Sequence, residues 1–286
     1  MAGYVHASGA QDGLDQDINA GIFTTLNGAL NQCRSGKGDY VFVLPGHTES
    51  ISSADYMSSL KAGTNIICLG EGDNRPTFTW TTAASTWLFD VANVTFENAI
   101  LEMSGAGAGS ALSVAAPITV SAAGCRISGC RIVFANDADE LATIGITTTA
   151  AADQFTFAYN HCYGATTGEV TTFMQIVGAD NLRLIGNYIQ GATSNTGVGI
   201  IRFATTASTN ILSENNYFGN KKALSTCSVT GLAGVSGVSK YDHFHYLNTT
   251  SLTPWLTSTG DMSFHRPTVT NTTGETGTEV VGTVSA

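Results

Sequence analysis

A pattern that returns about every thirty residues constrains this chain more than anything else in it. Five stretches carry it: Val94-Thr-Phe-Glu-Asn-Ala-Ile-Leu101, Cys125-Arg-Ile-Ser-Gly-Cys-Arg-Ile132, Phe155-Thr-Phe-Ala-Tyr-Asn-His-Cys162, Leu182-Arg-Leu-Ile-Gly-Asn-Tyr-Ile189 and Ile211-Leu-Ser-Glu-Asn-Asn-Tyr-Phe218. Their starts lie 31, 30, 27 and 29 residues apart. Two weaker members, Val41-Phe-Val-Leu44 and Ile66-Ile-Cys-Leu69, continue the series upstream at spacings of 25 and 28. Such a period marks stacked repeats, because one unit cannot bury its apolar face alone and must lean on the next.

Within each stretch apolar and other residues alternate, which is the period of a strand with one side chain in and the next out. A small or polar pair follows: Gly129-Cys130, Gly186-Asn187, Asn215-Asn216. Gly and Asn tolerate left-handed backbone angles, so the pair suits a corner. A second apolar strand precedes most of the stretches, at Trp87-Leu-Phe, Ala111-Leu-Ser-Val, Ile144-Gly-Ile, Phe173-Met-Gln-Ile-Val and Ile200-Ile-Arg-Phe. Two or three strands per turn, repeated, predict an all-β fold: a parallel β-helix of about seven or more coils, rising roughly 4.8 Å per coil. Asn160, Asn187 and Asn216 fall at the same place in successive units. Buried corner amides need partners, so an asparagine ladder is expected, each amide bonding the backbone of a neighbouring coil, in preference to a row that binds sugar.

The ends differ from the middle. Residues 1–20 are polar and Gly-rich and predict an N-terminal arm. Ile22, Leu26, Ala29, Leu30 and Cys33 lie on one helical face, behind Asp15 and Asp17, which favour a helix N-terminus. A helix over 21–35 is expected to cap the first coil, since solenoids need a terminal cap. The β-helix domain is expected over 21–246. Residues 247–286 hold twelve Thr and four Ser with few charges. They suit a disordered tail or, as the preferred reading, an extended C-terminal arm that adds strands to a neighbour.

Charge and cysteine usage exclude several classes. The net charge is −10 and the pI about 4.8, which argues against nucleic acid, whose phosphates need a basic surface, and equally against an anionic membrane. No run of 18 apolar residues occurs, so no transmembrane helix is predicted, and no Sec signal is read at the start. Charged residues make up only 12%, about half the roughly 25% of an average soluble domain, which suits a surface of strands and turns partly covered by partners. Cys68, Cys125, Cys130 and Cys162 fall in or beside apolar rung positions, so buried free thiols are expected rather than disulfides.

An amphipathic helix, a Gly-rich turn, a strand ending in Leu44-Pro-Gly46 and then degenerate rungs resembles the N-terminal part of pectate-lyase-like right-handed β-helix proteins. Phe42-Val-Leu-Pro-Gly-His-Thr-Glu49 and Asp73-Asn-Arg-Pro-Thr-Phe-Thr-Trp80 resemble phage virion proteins of that type. The resemblance covers about residues 20–245. It implies a phage virion structural protein, located in the virion after synthesis in the host cytoplasm. The expected role is capsid decoration or cement, as a homotrimer bound to the major capsid protein or other virion proteins. The alternative it implies is a tailspike-like or tail-fibre protein acting on bacterial surface polysaccharide. The shortness of the chain favours the first.

Candidate chemistry is sparse. The hydrolases of that family use close aspartates with Gly-His-Gly and Arg-x-Lys elements, and its lyases use carboxylate-held calcium with a basic residue; neither set occurs here, and glycoside hydrolysis needs two carboxylates across the bond. No catalytic residue and no cofactor is therefore assigned. Asn136, Asp137, Asp139 and Glu140 form the best candidate cluster. Asp137, Asp139 and Glu140 are the candidate metal ligands, suited to calcium by their oxygens, but the spacing fits no complete loop motif and a solvated acidic turn is the preferred reading. His161 is a candidate base only with a carboxylate partner, Glu169 being nearest in sequence, and a turn histidine is the commoner case. His243 and His245, read as alternating on one strand face with Tyr241, suit a metal or, more commonly, an edge strand or interface. Tyr159, Tyr163, Tyr188 and Tyr217 give no direction from sequence alone.

Overall fold

The computed structural model describes residues 2–5, 22–104, 112–135, 140–164, 169–194, 198–223, 228–247, 255–256 and 261–271. The five stretches lie one above another. Thr95–Glu97, Arg126–Ser128, Thr156–Ala158, Arg183–Ile185 and Ile211–Glu214 are consecutive, parallel neighbours in a first sheet of eleven strands. A second sheet follows each of them after a corner: Ile100–Met103, Arg131–Ala135, His161–Gly164, Tyr188–Thr193 and Tyr217–Ala223. A third sheet of seven strands, from Trp87–Phe89 to Trp255–Leu256, closes each turn. The chain is a parallel β-solenoid of about seven turns.

Two left-handed corners per coil make this geometry repeat. The corner between the first and second sheets is Asn98, Gly129, Tyr159, Gly186, Asn215, Tyr241 and Arg266 in successive coils, with φ between 51° and 66°. The corner that leads into the first sheet is Asn93, Gly124, Gln154, Asn181 and Asn210, with φ between 56° and 70°. Gly, Asn and Asp reach this region most cheaply. After each corner the alternation resumes, and the inward positions are fully buried: Val94 and Phe96, Cys125 and Ile127, Phe155 and Phe157, Leu182 and Leu184. Among the described side chains the widest collect in the early coils, where Trp87 meets Phe78 and Phe96 edge-on at 5.0 Å each and Trp80 at 5.7 Å.

The expected asparagine ladder is present. Asn160, Asn187 and Asn216 point inward just after the corner and are at most 2% exposed. Each Oδ1 accepts the backbone N–H one coil earlier: Cys130 N to Asn160 at 2.9 Å, Asn160 N to Asn187 at 3.0 Å, Asn187 N to Asn216 at 2.9 Å. Each Nδ2 donates to a carbonyl of that earlier coil, those of Ile127, Phe157 and Leu184, at 2.8–3.0 Å. Asp242 ends the row: its Oδ1 accepts Asn216 N and Nδ2 at 2.8 and 3.0 Å, and its Oδ2 accepts the Ser239 hydroxyl at 2.7 Å. Burial raises the Asp242 carboxyl pKa, partly offset by these hydrogen bonds.

Several expectations need correction. The helix expected over 21–35 is five residues, Leu26–Leu30. Ile22–Phe23 is instead a strand beside Ala2–Val5, which itself pairs with Tyr40–Val43. Thr25 caps the helix by accepting from Gly28 N, and two β-branched residues before it with a glycine inside leave little helix propensity to extend it. The Glu49 carboxylate accepts Leu26 N at 2.9 Å and the Tyr56 hydroxyl at 2.7 Å, and pairs with His47 Nε2 at 2.7 Å. Leu26, Ala29 and Leu30 are buried in the core at that end. The strand read at 111–114 leaves the three-sheet path: Leu112–Val114 pairs with Glu140–Ala142, and Ile118–Val120 takes the third-sheet place in that coil. Rungs continue past 246, because Asp261–His265 pairs with Ser236–Lys240 and Thr268–Asn271 with His243–Leu247. Residues 1 and 6–20 of the expected N-terminal arm, and 248–254, 257–260 and 272–286 of the expected C-terminal arm, lie outside the described residues.

Cys68, Cys125, Cys130 and Cys162 are buried free thiols, as expected, and Cys33 is partly exposed. Burial pushes their pKa values up, that of Cys130 to about 12.

Candidate functional site

Two features of the outer surface stand apart from ordinary strand faces. The first is an open polar trough at the corner that leads into the first sheet. Its cavity of about 450 Å³ is lined by Asn93, Gly124, Gln154, Asn181, Thr156 and Arg183. Four of these occupy the same left-handed place in four successive coils, so the trough runs along the solenoid axis for roughly 14 Å at the inter-strand spacing. Thr156 and Arg183 come from neighbouring strands of the first sheet and stand in register. A Cβ at Gly124 would sit 2.3 Å from Asn93 Oδ1, so only glycine leaves that amide its room.

The trough's polar groups are unsatisfied by the protein. Among the described residues, the Asn93, Gln154 and Asn181 amides and the Arg183 guanidinium make no hydrogen bond or ion pair, and all four side chains are exposed. The carboxylates beside them are engaged: Asp153 Oδ1 accepts Asp180 N at 2.9 Å, and Asp180 Oδ1 accepts Thr209 N at 2.6 Å. Arg126, one coil from Thr156, reaches Glu97 at 3.4 Å. The trough therefore offers donors and acceptors together, with one uncommitted positive charge.

The second feature is a row of rings on the second sheet. His161, Tyr188, Tyr217 and His243 are in register in successive coils. Tyr188 and Tyr217 stack at 4.6 Å and 6°, and Tyr217 and His243 at 5.1 Å and 10°. His161 meets Tyr188 edge-on at 4.9 Å. The spacing equals the rise per coil, so inner ring faces cover one another and edges meet solvent. A sugar stacks on an open ring face; this row offers few, and its main effect is to stiffen the sheet, at about 0.5–1.5 kcal/mol per ring pair. Burial lowers the pKa of both His243 and His245; His243 Nδ1 lies 2.6 Å from the Thr268 hydroxyl.

The residues singled out from sequence fall as follows. Asp137 and Asp139, and the Glu140 side chain, lie outside the described residues, as does the Glu169 side chain. His161 is exposed and belongs to the ring row. His243 and His245 share the outer face of one strand, but Tyr241 does not join them: it is the left-handed corner residue at φ 54°. Tyr188 and Tyr217 face outward, and Tyr159, at a corner, is 63% exposed. Among the described residues no group of three or more His, Cys, Asp or Glu is placed to hold a metal ion.

Sequence reasoning missed the trough. The signal was nonetheless in the repeat: the residue just before each of the five stretches is Asn93, Gly124, Gln154, Asn181 or Asn210.

The fold defines the class of protein, a parallel β-solenoid. No family model matches the chain, and no curated protein and no solved structure matches it.

Proposed function

We propose that the chain is a structural protein of a phage virion: a right-handed β-helix that binds the head surface as a decoration or cement protein, acting as a homotrimer against the major capsid protein. Right-handed winding is what parallel strand connections take in nearly all cases. The observation that carries the assembly role is the far end of the stack. Trp255–Leu256, Asp261–His265 and Thr268–Asn271 are the last described strands of their sheets, and no described strand pairs with their outer edges. An open edge of unpaired N–H and C=O groups is a template for strands of another chain. The low charge content and the in-register stack suit a rigid element partly covered by neighbours.

The edge can be blocked selectively. Thr268 N–H turns inward to Asp242 O at 3.0 Å, so by strand alternation Val269 N–H faces outward. Val269→Pro removes that outward donor and spares the inward ladder. With the fold verified by circular dichroism, the variant is expected to lose self-association and incorporation into particles. Normal incorporation at wild-type copy number contradicts the reading. Counting copies decides the location: hundreds per particle on heads fit decoration, and a handful on tails fits the tailspike-like alternative, which the polar trough favours.

A further inference from the structure

We propose that His243 and His245 form a two-imidazole chelate for one late first-row divalent ion, of the nickel, copper or zinc kind, on the outer face of the second sheet. The inference is independent of the assembly role, which rests on the open edge. Three observations carry it. The first is placement. The two histidines alternate on one strand, His243–Leu247, with buried Phe244 between them, so both side chains leave the same face. Their starting points lie about 6.8 Å apart, and ion-to-nitrogen bonds of about 2.0–2.1 Å let the two rings share one ion. The second is orientation. Both imidazoles cover the Tyr217 ring of the preceding coil, at 5.1 Å and 10° and at 6.4 Å and 18°. They therefore stand side by side in one layer, and the lone pair of a ring nitrogen lies in the ring plane, inside that layer. The third is support from outside the pair. The Thr268 hydroxyl lies 2.6 Å from His243 Nδ1. With an ion on Nε2, the remaining ring proton sits on Nδ1 and donates to that hydroxyl, the arrangement that holds metal-ligating histidines in place.

The surroundings select the class of ion. The positions in register with the pair are Tyr217 and Gly219 in one neighbouring strand and Thr268 and Thr270 in the other. None is a carboxylate, so calcium and magnesium, which take several oxygen ligands, are poorly served. Imidazole suits nickel, copper and zinc. Gly219, beside His245, is overhung by the Tyr217 ring: a Cβ there would sit 2.7 Å from Tyr217 Cε1 and 3.2 Å from its hydroxyl. Glycine thus leaves Tyr217 room to lie under both imidazoles. Burial raises the Tyr217 pKa, which keeps it a phenol and makes it a positioning residue rather than an anionic ligand. Burial, and after it the neighbouring His245, lowers the pKa of His243; burial, and after it the charge of Lys221, lowers that of His245. Both are neutral at pH 7, the form that ligates. The Lys221 charge opposes any cation, which again favours ions that gain most from nitrogen over ions held by charge alone.

The test is a calorimetric titration of the full chain at pH 7 with Co2+, Ni2+, Cu2+ and Zn2+, and with Mg2+ and Ca2+ as hard-cation controls. A Cys33→Ser/Cys227→Ser background leaves only the buried rung thiols. The expected result is saturable binding of one ion per chain, tightening from Co2+ through Ni2+ to Cu2+, with no binding of Mg2+ or Ca2+. His243→Gln and His245→Gln should each weaken Ni2+ about tenfold or more, and Thr268→Val about tenfold. His265→Ala, exposed on a strand of another sheet, should bind as the parent does. Saturating Ni2+ should also raise the melting temperature of the parent, and not that of the two Gln variants, which separates loss of the site from loss of the fold. In the Zn2+ complex the imidazole nitrogen signals of His243 and His245 should move together by NMR. No saturable Ni2+ binding up to about 1 mM, or binding by both Gln variants as in the parent, overturns the proposal. Tighter binding of Ca2+ or Mg2+ than of Ni2+ overturns the assignment of the ion class, and an unchanged Thr268→Val overturns the role given to that hydroxyl.

Discussion

Removing the amides of the inner ladder one at a time gives a graded forecast. The Asn160 side chain makes three hydrogen bonds, accepting from Cys130 N and donating to Ile127 O and Asn187 Oδ1. Asn187 makes four, accepting from Asn160 N and Nδ2 and donating to Phe157 O and Asn216 Oδ1. Asn216 also makes four, accepting from Asn187 N and Nδ2 and sharing its two Nδ2 protons among Leu184 O, the Ser213 hydroxyl and Asp242 Oδ1. At about 1 kcal/mol net per bond, Asn160→Ala, Asn187→Ala and Asn216→Ala should cost about 3, 4 and 4 kcal/mol. All three sites are buried, so water cannot replace what is lost and each abandoned backbone group keeps its desolvation cost. Urea unfolding followed by circular dichroism measures the loss, with Gln32→Ala, an exposed side chain outside the ladder, as control. Amide exchange adds a local readout: in Asn187→Ala the Asn160 N–H should lose its protection first. The double variant Asn160→Ala/Asn187→Ala should cost less than the sum, since the two side chains share one bond. Losses below about 1 kcal/mol in all three, or the reverse ranking, would refute the reasoning.

Other consequences are open to measurement. Asp242 has a raised folded-state pKa because it is buried, so its contribution to stability is present below the unfolded carboxyl pKa and lost as pH rises through the folded one. Asp242→Asn should therefore gain melting temperature over wild type at pH 7 and gain less at pH 3; an equal difference at both would contradict this. In a Cys227→Ser background, a thiol reagent should modify only Cys33 rapidly in the native state, and Cys68, Cys125, Cys130 and Cys162 only on unfolding. Rapid native reaction at four or five thiols would mean the rungs are not packed as described. Tyr217→Ala removes two stacked contacts, with Tyr188 and His243, and should cost about 1–3 kcal/mol; no loss would show that the ring row does not stabilise the sheet.

The rungs were legible because inward positions repeat with fixed offset from a corner residue whose type is restricted by its backbone angle. For the same reason the Asn160–Asn187–Asn216 ladder was readable, since a polar residue at a buried offset has few ways to be satisfied. The extent of the cap helix was not. Ile22 fits a helical face, yet it pairs with a strand from residues 2–5, and pattern within a window carries nothing about that distant partner. The continuation past 246 was hidden by composition: Thr-rich sequence suits an arm and a rung alike, because Thr is also a strand former. The trough was missed because Asn and Gly at a corner are already explained by backbone angle. Gln154 is the one residue of that row that local turn chemistry does not favour, and the alignment of the row into a trough exists only in three dimensions.

The measurement closest to the central claim is a set of inter-strand NOEs among Phe96, Ile127, Phe157 and Leu184. These residues are separated by 31, 30 and 27 positions and placed directly over one another in the first sheet. The account predicts contacts between each and the next, with parallel backbone connectivities throughout. Antiparallel connectivities between strands adjacent in sequence, with those four side chains apart, would contradict it.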